Sequence, residues 1–180
     1  MKFELVALFD KNTCAGIEEL QRNICRKYKI HKSTHPLYIP LGTIFNPDIN
    51  KLNNVITKVL KPYKKFKVGI NNSLTLNNQG KLVNIMIDNR GYIIRIQRNI
   101  EDTLSLHGFN INNKNNTINI PLALANYNIK RAYNDSGIPV YKYLPQTDHL
   151  KFAKIDRLEL WKLNGNHRDS IVKTFILREY

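Results

Sequence analysis

The sequence predicts an α+β protein with a bilobal build, in which two antiparallel-type sheets face a central groove and helices pack outside. Three observations predict it. Short apolar runs of strand length alternate with stretches whose apolar residues recur at helical spacing. The resulting order is β-α-β-α-β-β-α-β, then an irregular stretch, then β-β, so both halves carry a similar layout. Two short apolar runs, each opened by a polar side chain, stand one in each half: His35-Pro36-Leu37-Tyr38-Ile39-Pro40-Leu41 and Asn119-Ile120-Pro121-Leu122-Ala123-Leu124-Ala125. With 180 residues and 42% hydrophobic composition, the chain is globular and long enough to bury a core without staples. It reads as a single bilobal domain over residues 1–180.

The elements follow in order. Phe3 to Phe9 is a compact apolar run and reads as a buried first strand. Asn12 or Thr13 caps a helix to Tyr28, with Ile17, Leu20, Ile24 and Tyr28 on one face. Leu37 to Ile44 reads as a strand, and Pro36 and Pro40 make it an edge or irregular one, because each removes a ladder donor. Pro47 suits the first turn of the next helix, whose stripe is Ile49, Leu52, Ile56, Val59 and Leu60. Phe66, Val68 and Ile70, then Leu74 and Leu76, alternate across Asn71-Asn72 as one bent strand, and Leu82 to Ile87 is its neighbour. Ile93, Ile96, Ile100 and Leu104 form a helix face that Gly108 ends. Residues 110–116 read as a loop or short extended link, and Thr117 to Ala125 as a strand. No clean period runs from Tyr127 to His149. Leu158 to Leu163 and Ile171 to Leu177 are two strands joined by a turn at Asn164-Gly165-Asn166.

The formal charge is 28 − 14 = +14, which favours polyanionic partners, RNA or a small nucleotide first. Basic residues are densest at Lys61–Lys67, Lys151–Arg157 and Lys173–Arg178. Cys14 and Cys25 are eleven positions apart on one helix, too far for a disulfide, and read as reduced thiols. The histidines His31, His35, His107, His149 and His167 show no metal-ligand spacing, so no metal and no cofactor are expected. The N-terminus lacks a signal-peptide layout and no run of about 18 apolar residues exists, so the expectation is a cytoplasmic protein without a membrane partner. A phosphate-binding glycine loop, a Gly-x-Ser-x-Gly elbow and a telling carboxylate pair are all missing, which excludes the chemistries they serve. Sparse acids argue against a two-metal nuclease.

The two opened runs resemble the signature strands of the 2H phosphoesterases, the family of the 2'-5' RNA ligase and RNA 2',3'-cyclic phosphodiesterase proteins. That motif is His-x-Thr/Ser-x, twice. Two histidines flank a phosphorus as base and acid. The hydroxyl two residues on shares the strand face and donates to a phosphate oxygen. Here the motifs are degenerate. His35-Pro36-Leu37-Tyr38 keeps the histidine and loses the hydroxyl, while Asn119-Ile120-Pro121-Leu122 lacks both. An alternative frame, His31-Lys32-Ser33, matches His-x-Ser literally.

The resemblance implies His35 as the catalytic candidate and Asn119 as its substrate-binding counterpart across the cleft. Tyr38 is placed to stack on a base, although strand packing also explains it, and Tyr127, Tyr133, Tyr141 and Tyr143 are further aromatic candidates. Lys130 and Arg131 follow the second strand and suit a phosphate clamp, or a solvated loop. Asn does not exchange protons near neutral pH. The expected function is therefore a divergent 2H phosphoesterase-like protein that binds RNA ends or small nucleotides, with activity weak or lost. The alternatives are an active cyclic phosphodiesterase of the 2H type, in which His35 works with a proton-transfer partner that the sequence does not identify, and a non-enzymatic basic RNA-binding module; nothing in the sequence requires His107 or His149 to enter the groove.

Overall fold

The computed structural model describes residues 1–33, 36–77, 80–113, 118–136, 141–142, 150–164 and 170–179. Its elements run β1 (Lys2–Phe9), α1 (Lys11–Tyr28), β2 (Tyr38–Phe45), α2 (Ile49–Leu60), β3 (Phe66–Leu76), β4 (Leu82–Asp88) and α3 (Gly91–Leu106). They continue β5 (Asn110–Asn112), β6 (Asn119–Leu124), α4 (Tyr127–Ser136), β7 (Tyr141–Lys142), β8 (Phe152–Leu163) and β9 (Ser170–Ile176).

The helix starts differ from expectation for a capping reason. Asp10, not Asn12 or Thr13, caps α1 by accepting from the Thr13 N–H at 2.8 Å. Asp48 caps α2 by accepting from the Lys51 N–H at 3.1 Å, which leaves Pro47 outside the first turn. Gly108 follows α3 at φ 82°, a left-handed position, and the Gly108 and Phe109 N–H groups bond back to Ser105 and Leu104. The stretch without a clean period holds α4, which Asn126 caps through the Ile129 N–H, and the two-residue β7. Only Ile129 supplies α4 with a buried apolar side chain among its described residues, so no apolar stripe marked it.

The strands form one curled antiparallel sheet in the order β5-β2-β1-β8-β3-β4-β6. The two expected sheets are thus joined, and β8 is the joint. It pairs with β1 along 155–163 on one edge, and on the other with β3 at its start and β9 farther along. The curl brings the ends of the sheet together, because β2 contacts β6 and residues 31–33 add to the edge of β6.

The two faces of the sheet differ. One carries Phe3, Leu5, Ala7, Phe9, Ile39, Leu41, Ile85, Ile87, Ile120 and Leu158, all in one core with apolar residues of α1, α2, α3 and α4. All four described helices therefore back this face. The other face carries a smaller cluster of Val6, Leu8 and Trp161 with Tyr38 against it. That second face, free of described helices, is the floor on which the resemblance sets the groove. Among the described residues, no helix is long and apolar enough to cross a membrane.

Candidate functional site

The second signature run lies as the strand period requires. Asn119 and Pro121 open β6 on the helix-free face, paired with Met86 and Asn84 of β4, while Ile120 between them is buried in the core. Asn119 is 6% exposed and its Oδ1 has no hydrogen-bond partner among the described residues. Asn84, diagonal to it, is 3% exposed with its Oδ1 in the same condition. Thr75 of β3 stands opposite Asn84, so polar side chains cross three strands of this floor.

The first run is arranged differently from its expected frame. His35 lies outside the described residues, so its distance to Asn119 is not part of the geometry. Leu37, the expected hydroxyl position, belongs to the helix-backed core. The floor positions of β2 are Tyr38 and Pro40, opposite Leu8 and Val6 of β1. Tyr38 meets Trp161 edge-on, with ring centroids 5.0 Å apart at 65°. The alternative frame does not enter β2. The His31 carbonyl accepts from the Leu124 N–H at 2.9 Å and the Ser33 N–H bonds to Leu122 at 3.0 Å, which fixes that segment to β6.

Charge on this floor is locked internally. Glu159 is 6% exposed and accepts from Arg157 Nε at 3.0 Å and from Trp161 Nε1 at 2.8 Å. Arg157 Nη1 donates to Asp156 at 2.9 Å and to the Phe9 carbonyl at 3.2 Å. Burial works against the Arg157 charge, and the bonds and charges of Glu159 and Asp156 outweigh it, holding the guanidinium above its ordinary pKa. One cation thus meets two carboxylates, which offset its charge locally.

The remaining candidates are spread out. Lys130 and Arg131 are exposed on α4, just after β6. Tyr127 is exposed, and the side chains of Tyr133, Tyr141 and Tyr143 lie outside the described set, as do His149 and His167. His107 ends α3, and its Nδ1 pairs with the Thr103 carbonyl. It lines a groove of about 570 Å³ between α2 and α3, with Lys51, Lys58 and Asn99 and with no residue of β2 or β6. Lys51 there already donates to the His107 carbonyl at 2.9 Å. The three basic stretches converge, since Lys67 faces Lys154 across β3 and β8 and the Lys65 N–H bonds to the Arg178 carbonyl. Glu179 pairs with Lys65 in that seam, so its charge is mixed. Cys14 and Cys25 are half-buried free thiols that burial pushes up in pKa. Among the described residues, no three His, Cys, Asp or Glu side chains cluster as metal ligands would.

No protein-family model and no curated protein matches the sequence. Solved structures match the fold along its whole length. A phosphoesterase crystal structure aligns at TM-score 0.67 and 10% identity, over 99% of this chain and 98% of that one. Escherichia coli LigT complexed with NADP+ aligns at 0.62 and 12% identity, over 99% and 98%. Kluyveromyces marxianus Usb1 aligns at 0.58 and 13% identity, over 98% and 97%. The chain therefore has the 2H phosphoesterase fold, a curled antiparallel half-barrel with helices on its outer face.

Proposed function

We propose that this is a divergent 2H phosphoesterase-like protein that binds RNA ends or small nucleotides in its groove, with phosphodiester chemistry weak or lost. The observation that carries the reading is Asn119 with Pro121 on the helix-free face of β6, where the resemblance calls for a histidine and a hydroxyl. An amide holds no exchangeable acid–base proton near neutral pH, so a two-histidine mechanism lacks one partner. Proline has no hydroxyl to offer a phosphate oxygen. Ligand binding is supported by the +14 charge and by the solved complex of LigT with 3'-AMP, a protein of the same fold. Lys130 and Arg131 supply cations near the end of β6, and His35, which precedes β2 in the sequence, is the acid–base candidate that the resemblance implies. The reading needs no metal or cofactor.

The test is a sensitive turnover assay with a 2',3'-cyclic nucleotide and a short RNA ending in a cyclic phosphate, alongside a binding titration. Binding with turnover at background, unchanged in His35→Ala, is the expected result. Turnover that His35→Ala abolishes would make the protein an active enzyme with a replaced second group. Absence of binding to either probe would refute the nucleotide reading.

A further inference from the structure

The two signature runs contain a stronger repeat than the one their opening residues suggest. Tyr38-Ile39-Pro40-Leu41 and Asn119-Ile120-Pro121-Leu122 share Ile-Pro-Leu, and the structure treats them alike. Ile39 and Ile120 are both fully buried in the helix-backed core. Pro40 and Pro121 both face the floor, opposite Val6 and Asn84. The ladder slips at the same place in each strand: Leu41 is skipped between Pro40 and Gly42, and Leu122 between Pro121 and Ala123. Tyr38 and Asn119 therefore hold equivalent positions in the two halves, and Pro40 and Pro121 hold the equivalent positions two residues on.

From this correspondence, and resting on the nucleotide reading above, we propose that the floor between Tyr38 and Asn119 seats the uncharged nucleoside part of the ligand, with the phosphate held outside that floor. Three features argue for an uncharged occupant. Both positions that would donate to a phosphate oxygen are proline, which has neither a side-chain donor nor a backbone N–H. The guanidinium on this face, Arg157, is paired with Glu159 and Asp156. The buried polar groups left without a partner among the described residues are neutral. Four buried amide oxygens have no partner among the described residues, and Asn84 and Asn119 are the two that share this floor. A buried polar group without a partner costs about 1–3 kcal/mol, so two together mark a place shaped for a ligand's hydrogen bonds. Each amide offers one acceptor and two donors, the complement of a base edge or a ribose hydroxyl. As diagonal neighbours on adjacent strands, the two amides have a typical separation of about 7–8 Å, the span of one planar base. Tyr38, held edge-on by Trp161, presents an aromatic surface on which that base stacks.

The experiment is calorimetric titration of the full chain with the four ribonucleosides, the matching 3'-monophosphates and inorganic phosphate. Wild type is compared with Asn119→Leu and Asn84→Leu, and thermal melts confirm that each variant folds. The account expects at least one nucleoside to bind within about tenfold of its monophosphate. It expects inorganic phosphate not to compete, and each leucine variant to weaken nucleoside and nucleotide alike, by about fivefold or more. A parallel readout needs no variant: the side-chain amide resonances of Asn84 and Asn119 shift on adding nucleoside to wild type. Nucleotides that bind while nucleosides do not, with inorganic phosphate competing, would overturn this inference and leave the nucleotide reading standing. Failure of every nucleoside and nucleotide to bind would remove both.

Discussion

Asp10 shows how single side chains fix this fold. Burial raises its pKa, but the Thr13 bonds and the nearby Lys154 and Lys65 charges outweigh that and hold it below the usual carboxylate value. A depressed folded-state pKa contributes stability above the unfolded pKa, and that stability is lost as pH falls through the folded value. Asp10→Ala is thus expected to cost about 1 kcal/mol at neutral pH, the usual worth of an N-cap. Its deficit relative to wild type should shrink in acid, which denaturant melts at pH 7 and pH 3 would show. A deficit independent of pH would mean that the carboxylate charge plays no part. Glu159 acts differently, since it joins a guanidinium and an indole beneath the groove. Glu159→Gln keeps an acceptor and should be mild. Glu159→Ala leaves the Trp161 N–H orphaned and should cost about 1–3 kcal/mol with a changed tryptophan emission. Equal melts for the two variants would contradict that role.

At the scale of elements, most of the chain was legible because its apolar residues keep strict periods. Ile17, Leu20 and Ile24 mark α1, and Phe66, Val68, Ile70, Leu74 and Leu76 mark the bent β3, all of them buried. α4 was illegible because no clean apolar period runs through its sequence, and β5 because its three residues sit in an asparagine-rich run. Sequence reasoning anchored on His35, the residue with the right chemistry, whereas strand facing is set by the alternation of Ile39 and Leu41 into the core. The repeated Ile-Pro-Leu was the available signal, since its period alone fixes which residues face the floor. The prolines did announce irregularity. At residues 38–41, β2 pairs only with β1 among the described strands, and its ladder slips just after Pro40. Replacing Pro40 and Pro121 with threonine restores a hydroxyl at both floor positions without adding charge. The double variant is expected to bind inorganic phosphate more tightly than wild type, as read by competition titration. No gain would argue that those positions do not face the ligand.

Across the whole molecule, a fold matched over 98–99% of the chain at 10–13% identity shows what this architecture constrains. The fold persists at that identity because apolar side chains need only keep their faces, and many different sequences bury such a core. Net charge alone could not locate a site. The densest basic stretches meet acids in the seam of β3, β8 and β9, and the groove between α2 and α3 spends Lys51 on its own carbonyl. What separates a nucleotide-binding groove from a generally basic surface is where a ligand lands. The most direct measurement is therefore amide resonance mapping of the full chain during titration with a 2',3'-cyclic nucleotide. The account predicts saturable shifts centred on Tyr38, Asn84, Asn119 and the Trp161 indole, with the nucleotide intact after hours of incubation. Shifts confined to α2 and α3 around Lys51 and Lys58, or scattered over exposed lysines and erased by moderate salt, would contradict it.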